Sequence, residues 1–158
     1  MITKYFYLIL AMFLWNCQSD SDLLNETAAT KTSAEGIPFK QEFSIKMGEQ
    51  VILTGGEAPR KLHLWLKELN DSRCPANATC VHYGAASILL SASNSQGKND
   101  TIEMCIGGCY NQEPRNTHTI TTQIGQVTYK ITLKEIRPFP GLEQDADTKQ
   151  AVLQVEKL

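Results

Sequence analysis

Four cysteines in two close pairs and one nearby histidine are the residues of this chain best placed to do chemistry. Cys74 and Cys80 enclose Pro-Ala-Asn-Ala-Thr, Cys105 and Cys109 enclose Ile-Gly-Gly, and His82 follows two residues after Cys80. Sulfur and imidazole in that supply could close a tetrahedral zinc shell. Arg73, beside Cys74, could favour a thiolate for nucleophilic work. Neither pair has the Cys-x-x-Cys spacing of a zinc or redox motif, however, and an even number of cysteines in an exported chain reads first as disulfides. Gly107-Gly108 lets the chain fold back between Cys105 and Cys109, and Pro75 with Asn77 makes a turn between Cys74 and Cys80. Two local bridges are therefore favoured, with loops stapled to each other as the alternative.

Other catalytic patterns are missing from the sequence. Asp71, Ser72 and His82 can be combined into a triad on paper, but no G-x-S-x-G elbow, paired carboxylate signature, P-loop or dinucleotide glycine pattern accompanies them. The chain is expected to be neither an enzyme nor a cofactor carrier, with an extracytoplasmic metal-binding or thiol-dependent enzyme as the rival. A formal net charge of −2 and the lack of a Lys/Arg run interleaved with aromatics argue against nucleic acid as a partner.

The location follows from the N-terminus. Lys4 is a small basic region, and Tyr5 to Trp15 is an apolar run of eleven residues, too short for the roughly 20 helical residues that cross a bilayer. It reads as a secretion signal. Leu14 and Cys17 resemble the bacterial lipobox, in which the thiol is lipidated and becomes the mature N-terminus; Trp15 and Asn16 stand where that family prefers small residues. The resemblance implies a lipoprotein anchored to the membrane through Cys17, in the cell envelope, either periplasmic or displayed at the surface. Removal of residues 1–16 leaves 142 of the 158 residues, with charge −3 because Lys4 is lost. Residues 17–36 are mostly polar and small, too poor in apolar side chains to offset their ordering entropy, and read as a flexible tether.

Residues 37–158 form one domain with strand periodicity. Candidate strands lie in 39–47, 51–54, 62–69, 85–91, 101–105, 117–124, 127–136 and 151–156, each closed by Gly, Asn, Asp or Pro. The clearest sets Val127, Tyr129, Ile131 and Leu133 against Thr128, Lys130, Thr132 and Lys134, one face for a core and one for water. The expected fold is all-β, a small Ig-like β-sandwich of seven or eight strands. A barrel, or an α+β domain with a helix over 61–69, is the alternative. Pro138-Phe139-Pro140-Gly141 must leave the sheet, since two prolines remove backbone donors.

Asp71-Ser72-Arg73-Cys74-Pro75, followed by Cys80-Val81 and Gly84-x-Ala86, resembles a motif of uncharacterised secreted bacterial lipoproteins. His82 and Tyr83 stand where those proteins tend to carry Trp and Ala. The resemblance spans about Phe43 to Leu90 and the Tyr129 to Pro140 pattern. It implies a small β domain without a known activity, and the second cysteine pair, extra to the motif, implies pairing of Cys74 with Cys80 and of Cys105 with Cys109. A sandwich presents loops at its ends, so Arg73, His82, Tyr83, Tyr110 and Arg115 are the expected contact surface for an unknown protein or glycan ligand.

Overall fold

The computed structural model describes residues 36–111, 113–142 and 148–158, which leaves the signal segment, Cys17 and nearly all of the tether outside the described residues. Strands run through β1 (Ile37–Pro38), β2 (Glu42–Lys46), β3 (Gln50–Thr54), β4 (Lys61–Asp71), β5 (Ala85–Asn94), β6 (Gly97–Gly107), β7 (His118–Ile124), β8 (Val127–Arg137) and β9 (Gln150–Lys157). They form two sheets, one in the order β1-β3-β4-β5-β6 and the other β2-β9-β8-β7. The fold is the expected β-sandwich. Only β1 pairs in parallel, with β3; the other neighbours are antiparallel. Residues 61–69 lie in strand β4, so the helical alternative does not hold there.

Alternation explains which faces meet. Phe43 and Ile45 of β2, Leu62, Leu64 and Leu66 of β4, Ile88 and Leu90 of β5, and Tyr129, Ile131 and Leu133 of β8 all enter one core. Each such side chain contributes about 1.5–3 kcal/mol when fully buried. The Tyr129 hydroxyl is within 3.2 Å of Asn94 Nδ2, so its polar end is not left unpaired at the core's edge.

Two breaks in this alternation decide what reaches the end of the sandwich. In β4 the inward set is even-numbered up to Leu66, and the register then shifts between Leu66 and Glu68. Beyond the bulge, Leu69 and Asp71 lie opposite Ile88 and Ala86, and a carboxylate that unbroken alternation would send outward faces the interior. A second shift, between Leu133 and Glu135 of β8, brings Ile136 inward after Tyr129, Ile131 and Leu133.

Replacing Leu64 by Ala should cost about 2–5 kcal/mol through lost burial and the cavity left behind. Replacing the exposed Ile52 on neighbouring β3 should cost less than about 1 kcal/mol. Urea midpoints of the two variants check that contrast.

Candidate functional site

The inward turn of Asp71 sets up a buried ion pair at the end of β4. Arg73 donates from Nε to Asp71 Oδ1 and from Nη2 to Oδ2, both at 2.8 Å, and Nη2 also donates to the Ile136 carbonyl at 2.6 Å. The side chains are 0 % and 7 % exposed for Asp71 and Arg73. Lys149 donates to Asp71 Oδ2 at 3.1 Å and to the Pro138 carbonyl at 3.0 Å. The guanidinium carbon of Arg73 lies 4.4 Å from the centre of the Phe139 ring. Burial pushes the Asp71 carboxyl up, but the hydrogen bonds from Arg73 and Lys149 outweigh it and hold the group below its ordinary value.

The ladder between β4 and β5 continues past this pair. Ser72 N donates to Ala85 O at 2.8 Å and Cys74 N to Tyr83 O at 2.9 Å, so the strands hand directly into a loop closed by the Cys74–Cys80 disulfide. Ala76 N donates to Pro140 O at 2.8 Å, joining that loop to the Pro138–Gly141 bend. Gly84 has φ +72°, and a Cβ there would lie 2.1 Å from the Ser72 carbonyl oxygen. No side chain fits. Gly107, at φ +85°, is also crowded, since a Cβ would fall 2.8 Å from Gly84 O.

The second loop is built on the end of β6. Cys105–Cys109 is the other disulfide, so the two local bridges favoured by the turn residues are the ones present. Held in disulfides, none of these four sulfurs is a thiolate ligand or nucleophile. Gly107 and Arg115 exchange backbone hydrogen bonds at 2.7 and 3.1 Å, and Gly108 N donates to Gly84 O at 2.8 Å. Cys105 N donates to His118 Nδ1 at 3.1 Å. Burial, and then the Arg115 cation, lower the pKa of His118, and the imidazole is neutral with its proton on Nε2.

Three of the five expected contact residues come together here. Arg73, Tyr83 and Arg115 line a cavity of about 350 Å³ with Lys134, Glu135 and Phe139. Arg73 forms part of its wall with its charge already committed to Asp71, which is a different role from the exposed contact expected of it. His82 and Tyr110 are exposed, Tyr110 at 71 %, and neither lines the cavity. Lys134 and Glu135 were not expected there; they come from β8 at its register shift, which the smooth alternation of Val127 to Lys134 gives no sign of. Larger hollows of about 480 and 460 Å³ lie elsewhere, around Phe39 and around His63. Among the described residues the one buried side-chain nitrogen or oxygen without a hydrogen-bond partner is Nε of Arg115, a residue of this cavity's wall.

Asp71→Ala strands the Arg73 cation and should cost about 3–5 kcal/mol. A double replacement, Asp71→Leu with Arg73→Met, should cost less than the two single losses summed. Because folding lowers the pKa of Asp71, the unfolded chain binds the extra proton as pH drops below about 4, and stability falls with it. That part of the acid slope should vanish in Asp71→Asn, as read from denaturation midpoints taken between neutral and acid pH.

No known protein family, no curated protein and no solved structure matches the chain.

Proposed function

We propose that the chain is a lipid-anchored protein of the bacterial cell envelope whose β-sandwich is a non-catalytic binding module, taking a protein or glycan ligand at the end that carries the two disulfide loops. The observation that carries this reading is the cavity between those loops, walled by Tyr83, Arg115 and Phe139. Arg115 on that wall makes no ion pair among the described residues. The cavity's surroundings are fixed before any ligand arrives, by two disulfides, a buried ion pair and backbone contacts at Gly84 and Gly107. Rigid loops lose little conformational freedom on binding, which favours affinity. Tyr83 and Tyr110 stand exposed on the loops and offer flat contact area with few rotatable bonds.

The envelope location is supported by the apolar run ending at Cys17 and by disulfides, which persist in oxidising compartments. A tether such as residues 18–36 would let the domain stand away from the membrane.

Two measurements test the proposal. Intact mass of the chain from membranes of its host should show an acylated Cys17, no alkylation before reduction and four alkylated sites after it; a soluble species with an unmodified N-terminus would refute the anchor. A photo-crosslinking residue should capture a ligand in the envelope when placed at Tyr83 or Tyr110, and not at Gln96. Gln96 lies in the β5–β6 hairpin at the far end of β5, roughly 30 Å away along a ten-residue strand. Equal capture at all three positions, or capture at Gln96 alone, would refute the assignment of the binding end.

A further inference from the structure

We infer that the outer face of β4 is a second binding surface, one that takes an acidic oligosaccharide with a sugar ring on Trp65 and a carboxylate over Arg60 and Lys61. The inference does not depend on the binding end proposed above. Because Leu62, Leu64 and Leu66 are fully buried, the alternate residues Lys61, His63 and Trp65 share the opposite side of the strand. Trp65 is 43 % exposed there. An indole held open on a strand offers flat apolar area at little conformational cost.

The groups beside the ring are those that read hydroxyls. Gln50 stands opposite Trp65 in the ladder and donates from Nε2 to His63 Nδ1 at 3.2 Å. Since Nδ1 accepts, the imidazole carries its proton on Nε2, which has no hydrogen-bond partner among the described residues. The one such atom that is buried is Arg115 Nε, so His63 Nε2 is open to solvent. Gln50 is itself exposed and adds the acceptor Oε1. A donor and an acceptor beside a flat apolar ring suit a pyranose, which presents C–H groups on its face and hydroxyls at its rim.

Charge selects an acidic saccharide. Beyond His63 the face opens into the hollow of about 460 Å³ lined by Pro59, Arg60, Lys61, His63, Asn94 and Ser95. No carboxylate lines it, and among the described residues neither Arg60 nor Lys61 makes an ion pair. Nearby, Lys67 and Lys98 share the single carboxylate of Asp100, and Lys157 Nζ lies on the Glu57 and Pro59 carbonyls. Against these five cations stand Asp100, Glu57 and the terminal carboxylate of Leu158, so the balance is positive. Glu68 and Glu103 face each other across Leu89 on the other side of Trp65, toward the disulfide loops, which orients the acid over Arg60 and Lys61. Trp65 to Lys61 spans about 13 Å along the strand, the reach of a trisaccharide. Gln96, next in sequence to the hollow, turns its side chain onto the β7–β8 turn, where its Oε1 accepts from Gln126 N, so a crosslinker there points away from this face.

The test uses the full chain in detergent micelles, carrying Trp15→Phe so that Trp65 is its sole indole. A trimer of galacturonic acid is the probe, its methyl ester the uncharged counterpart, and hexaglutamate the acidic peptide. The trimer should change Trp65 emission and bind by calorimetry about tenfold more tightly than the ester or the peptide. Arg60→Gln with Lys61→Gln, both exposed positions, should weaken the trimer about tenfold, and high salt should weaken it likewise. Trp65→Ala should abolish binding and Trp65→Phe should restore part of it, while Thr121→Ala, on the other sheet, should leave it unchanged. Absence of trimer binding, equal binding of the ester, equal or tighter binding of hexaglutamate, unmoved Trp65 emission, or full affinity in the double glutamine variant would each overturn the inference.

Discussion

The Asp71–Arg73 pair is the constraint around which one end of the sandwich is organised. It joins the last residue of β4 to the Ile136 carbonyl in β8, and so spans the two sheets with a single side chain. Lys149 extends the connection to Pro138, and Phe139 covers the guanidinium. Taking these charges out of water is expensive, and a well-packed apolar replacement could be as stable. What the pair adds is direction. A bidentate guanidinium fixes both the distance and the plane of its partner, whereas leucine on leucine tolerates sliding.

The disulfide loops depend on that placement. Cross-linking only five or three intervening residues limits unfolded-state entropy modestly, about 2 kcal/mol for each bridge. The bridges matter more for holding short loops in one shape than for overall stability. Their proximity is enforced by backbone approach. With no room for a Cβ at Gly84, the Ser72 carbonyl and the β5 entry lie in direct contact, and Gly107 lays the end of β6 against the same carbonyl-lined seam. The cavity walls are therefore set by main chain and by committed side chains, rather than by mobile surface groups.

Much of the fold was legible in the sequence because strand alternation is local. Val127 to Leu133 places one face in the core simply by its period, and Gly107-Gly108 makes a local Cys105–Cys109 bridge feasible from chain geometry. The short β1, two residues including Pro38, carries no such signal and exists only because β3 offers it a parallel edge. The early start of β6 at Gly97 is equally hidden: its first four residues are glycine or polar, and Asn94 Oδ1 sets the turn by accepting from Gln96 N and Gly97 N. At the site, Asp71 and Arg73 stand two residues apart, close enough for a local ion pair. The entry of Lys134 and Glu135 did not show, because a bulge is a mismatch between two strands and neither strand alone records it.

The difference between the two arginines is the last step. Each follows a carboxylate by two residues, Asp71 before Arg73 and Glu113 before Arg115, so sequence spacing treats them alike. Arg73 N turns back toward Asp71 Oδ1 at 3.3 Å, and the side chains close on each other. Arg115 N instead donates across to Gly107 O, and Glu113, beyond Pro114, is left exposed. The backbone bond that anchors Arg115 to β6 thus directs its side chain away from the nearest acid in sequence and into the cavity. One arginine is satisfied within the fold and serves architecture. The other is held by backbone contacts to β6 with its Nε buried and without a partner among the described residues, a local cost that the surrounding packing has to offset.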